Sequence, residues 1–155
     1  SLLILNRAAV MARDKFLDYE YSIVNMHISY ILLHMNMTEE ALRVIKLNIE
    51  NILSNGGVYD KAKALFLFCQ CVIAAATTRD EKIATLRKVL EQLELAVRYF
   101  TKLENWQKVK SIYVYLAKLY NDLGMHEERN HAAYKFRLIV EEHTTSYNDN
   151  LHLFY

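Results

Sequence analysis

Apolar residues recur at three- and four-residue steps along almost the whole chain, the period of helices that bury one face. The spacing predicts seven helices. Leu5, Ala8, Ala9 and Val10 mark the first, over Leu2 to Phe16. From Tyr19 to Met35, Ile23, Val24, Met26, Ile28, Tyr30, Leu32 and Leu33 leave little polar circumference, as in a helix buried between others. The third runs from Thr38 to Leu53 with Ala41, Leu42, Ile45, Ile49 and Ile52 inward. Thr38 suits its N-cap, and Glu39 and Glu40 fall where the helix dipole favours anions. A fourth, Tyr59 to Ala76, is apolar nearly all round, and Ala74-Ala75-Ala76 predicts a close helix crossing. Asp80 is the expected N-cap of a longer helix over Glu81 to Leu103. Two more follow, Trp106 to Leu123 and Glu127 to Glu142. Thr144 to Asn150 is polar and irregular, and the apolar end Leu151 to Tyr155 is expected to dock.

Leu116-Ala117-Lys118-Leu119-Tyr120-Asn121-Asp122-Leu123-Gly124 ends the sixth helix. It has a small residue where a neighbour comes close, a large one where a gap needs filling, and a glycine where the chain turns. A looser copy is Ile28-Ser29 with Leu32, Asn36 and Ala41. This is the pattern of a helix-turn-helix repeat of the tetratricopeptide kind. Aligning Ile28-Ser29, Phe68-Cys69 and Leu116-Ala117 gives steps of 40 and 48 residues, longer than the tetratricopeptide period of about 34. The expected fold is all-α: a tetratricopeptide-like solenoid of about seven antiparallel helices. Residues 1–143 form one array and 144–155 a tail. The chain starts in mid-pattern and without Met, so it reads as a fragment whose first repeat is truncated.

Composition agrees. The chain has no proline and three glycines, too little turn chemistry for a sheet protein. Gly56-Gly57 and Gly124 each follow a helical pattern, where positive φ is expected. The 19 basic and 18 acidic residues are interspersed, for a net charge of +1. That balance argues against a nucleic-acid footprint, which needs a concentrated basic face. No apolar run reaches the roughly 18 residues of a membrane span. Cys69 and Cys71 point to different helix faces and read as small core groups.

No catalytic chemistry emerges. His27 and His34 share a face seven residues apart, and His126 and His131 are five apart, so neither forms an i, i+4 metal pair. HExxH, GxSxG and phosphate-cradling glycine loops are missing from the sequence. The expectation is no enzyme, no metal and no cofactor. The tyrosines read as gap fillers between helices, and Trp106 as packing on the preceding turn.

A longer stretch carries a resemblance. Lys61-Ala62-Lys63-Ala64-Leu65-Phe66-Leu67 is followed by Ala96-Val97-Arg98-Tyr99-Phe100-Thr101-Lys102-Leu103, then Ala117-Lys118-Leu119-Tyr120, Leu123-Gly124, Glu128-Arg129-Asn130, Ala132 and Phe136-Arg137. In this order it resembles the C-terminal end of the subunit 5 family of the anaphase-promoting complex, over Asp60 to Glu142. The resemblance implies a non-catalytic scaffold in a cell-cycle ubiquitin ligase, present in nucleus and cytoplasm. Its partners would be platform subunits 1, 4 and 15, with no nucleic acid and no membrane.

In such arrays the inner wall comes from fixed positions of each repeat's first helix. Carried over, they are Ile23, Met26, Tyr30 and Leu33, then Phe66, Gln70 and Ile73, then Ser111, Val114 and Lys118. Met26, Tyr30, Phe66, Gln70, Val114 and Lys118 are the wall candidates for partner binding. Arg129 joins them as a charged group where a small one is usual, favoured for an internal bond. The wall is mostly apolar, with only Lys118 and Asn121 suited to grip a carboxylate. This favours a permanent structural subunit over a transient peptide-binding adaptor. A proteasome-lid-like subunit would need a terminal winged helix, for which too few residues follow Glu142.

Overall fold

The computed structural model describes residues 2–14 and 17–143. Among them are seven helices: α1 (Leu2–Asp14), α2 (Asp18–His34), α3 (Thr38–Asn55), α4 (Val58–Ala75), α5 (Arg79–Lys102), α6 (Trp106–Asp122) and α7 (His126–Glu142). The arrangement is the expected tetratricopeptide-like helical repeat: α1 packs on α2, α2 on α3, α3 on α4, and α6 on α7. The chain divides into two compact units, Ser1–Tyr99 and Phe100–Tyr155, with the boundary inside α5. The tail expected over 144–155 lies outside the described residues.

In the first unit α2 is the central element. It packs on α1, on α3 and on α4. Its buried residues Met26, Ile28 and Leu32 join Ala9 of α1, Ala41, Ile45 and Ile52 of α3, and Ala64, Leu67 and Cys71 of α4 in one apolar cluster. Cys69 faces the other way, its thiol 3.7 Å from the Val89 carbonyl of α5. The two thiols thus occupy opposite faces of α4, and burial raises the pKa of both, Cys69 to about 12. They are packing groups without nucleophilic character. In the second unit α6 and α7 form a hairpin, with Val109, Ile112, Leu116, Leu123 and Ala132 buried.

Three turns share one design. At Asn36, Glu104 and Gly124 the backbone enters the left-handed region, with φ of 59°, 54° and 73°. At each, the next residue donates back across the turn: Met37 to Leu32, Asn105 to Phe100, and Met125 to Tyr120, at 2.8–2.9 Å. A second bond runs from Asn36 to Leu33, Glu104 to Thr101 and Gly124 to Asn121. This is the Schellman motif, which satisfies the last carbonyls of a helix. In all three the following helix begins two residues after the left-handed one.

Several local expectations are corrected. Gly56 and Gly57 have φ of −79° and −72°, so neither needs left-handed freedom. Gly56 is required for space instead. A methyl group there would lie 2.5 Å from the Ile52 carbonyl oxygen and 3.0 Å from the Tyr19 hydroxyl. Thr38 is the first residue of α3, not its cap; Met37 holds that position without a side-chain bond. Asp80 does not cap α5. Thr78 does, accepting from the Glu81 amide at 3.2 Å, while the Glu81 carboxylate accepts from the Thr77 and Thr78 amides. The reciprocal pair is a capping box, and these bonds hold the Glu81 carboxyl below its usual range. Ala62 and Ala64 of α4 are fully buried, whereas Ala74, where the close crossing was expected, is exposed. Lys82 donates to the Ile73 carbonyl at 3.1 Å and so closes the C-terminus of α4.

Opposite signs follow for the turn residues. Glu104→Gly should stabilise the fold by about 0.5–1 kcal/mol by relieving a left-handed β-carbon, and Gly124→Ala should cost about 1 kcal/mol. Urea unfolding of both variants checks this; a shift of the same sign in both would contradict it. At the glycine pair, Gly56→Ala should cost about 1–3 kcal/mol by overpacking. Gly57→Ser meets open space and adds an N-cap to α4, for a gain of about 0.5 kcal/mol. Melting temperatures of the two variants displaced in opposite directions would bear out the distinction.

Candidate protein-interaction surface

The candidate surface is the pair of stripes that flank the seam between α2 and α4. The seam is fastened at two levels. Near its start the Tyr19 hydroxyl donates to the Asp60 carboxylate at 2.6 Å. Near its middle Ser29 and Cys71 meet at 3.8 Å, both buried. Outside the seam α2 presents His27, Tyr30 and His34, spaced three and four residues apart and exposed. On α4 the matching stripe is Tyr59, Lys63, Phe66 and Gln70, again at steps of three and four. Both sets therefore lie on single helix faces.

The local chemistry is specific. Tyr30 and His34 are in ring contact, centroids 4.2 Å apart, and His34 Nδ1 donates to the Tyr30 carbonyl at 2.9 Å. The Lys63 ammonium lies 4.7 Å from the centre of the Tyr59 ring, a cation–π arrangement. His27 has its pKa lowered, first by partial burial and then by the positive charge of Lys63, against the opposing pull of Asp60. Lys63 and His27 thus share one patch. Tyr19 is pushed up to about 12, by burial first and then by its bond to Asp60 and the charge there.

The sequence-derived wall is only partly this surface. Tyr30 is 47% exposed, and Phe66 and Gln70 are half-buried on the α4 stripe. Met26 and Ile73 are in the core, 3% and 2% exposed, and offer no surface. His27, Tyr59 and Lys63 were missed. The available signal was Tyr59 and Lys63 sitting two turns and one turn before Phe66 on the same face. In the second unit Val114 is half-buried and Lys118 exposed, both on α6. Arg129 donates to Asn121 at 2.9 Å and to Asn130 at 3.1 and 3.2 Å, so its guanidinium is used internally. Trp106 stacks on His143 with ring centres 3.6 Å apart and planes 8° from parallel. Among the described residues no group of three or more His, Cys, Asp or Glu side chains could hold a metal ion. No described helix is long and apolar enough to cross a membrane.

No protein-family model matches the chain. Among curated proteins it is similar to anaphase-promoting complex subunit 5 of Rattus norvegicus, 31% identical over 141 residues, which cover 90% of this chain and 19% of that protein. The Homo sapiens protein of the same name is 31% identical over 144 residues, covering 92% and 19%. That of Gallus gallus is 28% identical over 144 residues with the same coverage. The chain spans about a fifth of the length of these relatives.

Tyr19 supplies a pH test of the seam. Its raised pKa means that its contribution to stability is fully present below about 10 and is lost as pH rises toward about 12. Tyr19→Phe should cost about 1 kcal/mol at pH 8, through the lost bond to a half-exposed carboxylate. The gap to the parent protein should narrow by pH 11. Urea titrations of both proteins at the two pH values check it, and a constant gap would count against the bond.

Proposed function

Because the chain is a relative of anaphase-promoting complex subunit 5 across the fifth of that protein it spans, we propose that it serves as a non-catalytic scaffold segment of that complex, a ubiquitin ligase of the cell cycle. The observation that carries this reading is 31% identity sustained over 90% of the chain. It is not confined to one motif, as a generic repeat match would be. The packing supports the same reading. The buried residues of each unit hold helix to helix, and the helices leave large apolar side chains outward. Leu3 and Ile4 are each 66% exposed and Leu47 is 80% exposed; surfaces of this kind suit protein contacts.

The partners proposed are platform subunits 1, 4 and 15, and the location is nucleus and cytoplasm, where such a ligase acts. The segment's part is positional: it holds neighbours in place while the chemistry proceeds on other subunits. Purification of the tagged full-length protein under mild conditions, followed by quantitative mass spectrometry, tests this. The expected result is co-purification of cullin and RING subunits with the platform subunits in fixed proportion. Recovery of the protein free of any such assembly would overturn the reading.

A further inference from the structure

The α2–α4 stripes carry one positioned ammonium, that of Lys63. Lys63 pairs with no described carboxylate; its ammonium lies over the Tyr59 ring. Asp60, the nearest acidic group on its own helix, is engaged by Tyr19. A cation–π contact holds an ammonium in place without neutralising it, so Lys63 is positioned and still charged. His27 lies close enough to feel that charge. An incoming carboxylate would gain a positioned ammonium and an imidazole donor. Beside them are apolar surfaces: the rings of Tyr30 and Tyr59, 47% and 41% exposed, and the half-buried Phe66. One lysine with one imidazole is too little for a phosphate backbone, which needs many basic groups along one face. It suits a single acidic side chain flanked by apolar ones.

We infer that the α2–α4 face of the first unit receives a segment of a neighbouring subunit, with an Asp or Glu of that segment at Lys63 and His27 and its apolar residues against Tyr30 and Phe66. This rests on the scaffold reading and goes beyond it, since it assigns a face, a charge and a contact residue.

The test uses the intact complex purified through the full-length protein, compared with that protein expressed alone. Zero-length carbodiimide cross-linking joins an amine to a carboxylate only when the two are in contact. The expected product is Lys63 joined to an Asp or Glu of a different subunit. Amine acylation at Lys63 should also fall about tenfold in the complex. Lys63→Glu should abolish the cross-link and weaken retention of that subunit by a similar factor, and Lys63→Arg should keep the retention. Equal acylation in both samples would overturn the proposal, as would a link only to Asp60, to another residue of the same chain or to a second copy. Failure of the protein to enter the complex at all would remove the scaffold reading and this one with it. Entry with Lys63 open would remove this one alone.

Discussion

The Ser29 hydroxyl is the point on which the first unit turns. It is fully buried in α2, donates to the Ala41 carbonyl of α3 at 2.7 Å, and meets the Cys71 sulfur of α4 at 3.8 Å. A single small polar group thus addresses two neighbouring helices. Apolar contact alone is non-directional and would tolerate sliding. A buried hydroxyl does not, because a shift of one turn leaves it and its partner unpaired, at about 1–3 kcal/mol. The same logic continues along the α2–α3 interface. Asn25 donates to Asn48 at 3.4 Å, Asn48 to the Val44 carbonyl at 2.7 Å, and Asn51 to Ser22 at 2.8 Å and to the Asp18 carbonyl at 3.0 Å. Ser22, Asn25 and Asn48 are buried. Polar groups in a core fix register where apolar ones only fix proximity.

That register is what makes the α2–α4 face a defined surface. With Ser29 set against Cys71 and Tyr19 against Asp60, the exposed stripes of the two helices run side by side. His27 and Lys63 come within electrostatic reach although 36 positions separate them. Gly56 belongs to the same device. The space it leaves open is the space beside the Tyr19 hydroxyl, so the end of α3 and the tyrosine clamp can coexist.

How much of this the sequence carries depends on the kind of information involved. The seven helices were legible because period and length set them, and their ends fall within a few residues of the apolar pattern. Gly124 was legible as a left-handed turn because glycine is the residue that turn favours. Glu104 was not, because glutamate has no preference for that conformation; two backbone bonds hold it there. Gly56 was read for the wrong reason, since its need for space depends on Tyr19, 37 positions earlier. Lys63 was overlooked because the wall positions were carried from a pattern, and Ile73 was taken in its place. The exposed face of α4 extends toward Tyr59 at its start, while Ile73 near its end is turned into the core. Such a difference in helix rotation is set by neighbours, here by the junction at Ser29 and Cys71.

Charge placement separates Lys63 from the other cations that the repeat pattern nominated. Arg129 is charged, but its donors are directed at Asn121 and Asn130, which fixes the guanidinium to its own hairpin. Using it for a partner's carboxylate would mean breaking those bonds first. Lys118 stands exposed on α6, where an ammonium on a flexible stem loses side-chain entropy on forming an ion pair, and such pairs contribute about 0–1 kcal/mol. Lys63 differs from both. It is half-buried, its ammonium is held by an aromatic ring rather than by a competing acceptor, and its nearest acid is engaged by Tyr19. Part of the ordering cost of an ion pair is thereby met within the fold, before any partner arrives. The cation that matters for recognition is therefore the one with the fewest internal obligations among ordered groups, and the α2–α4 seam is what orders it.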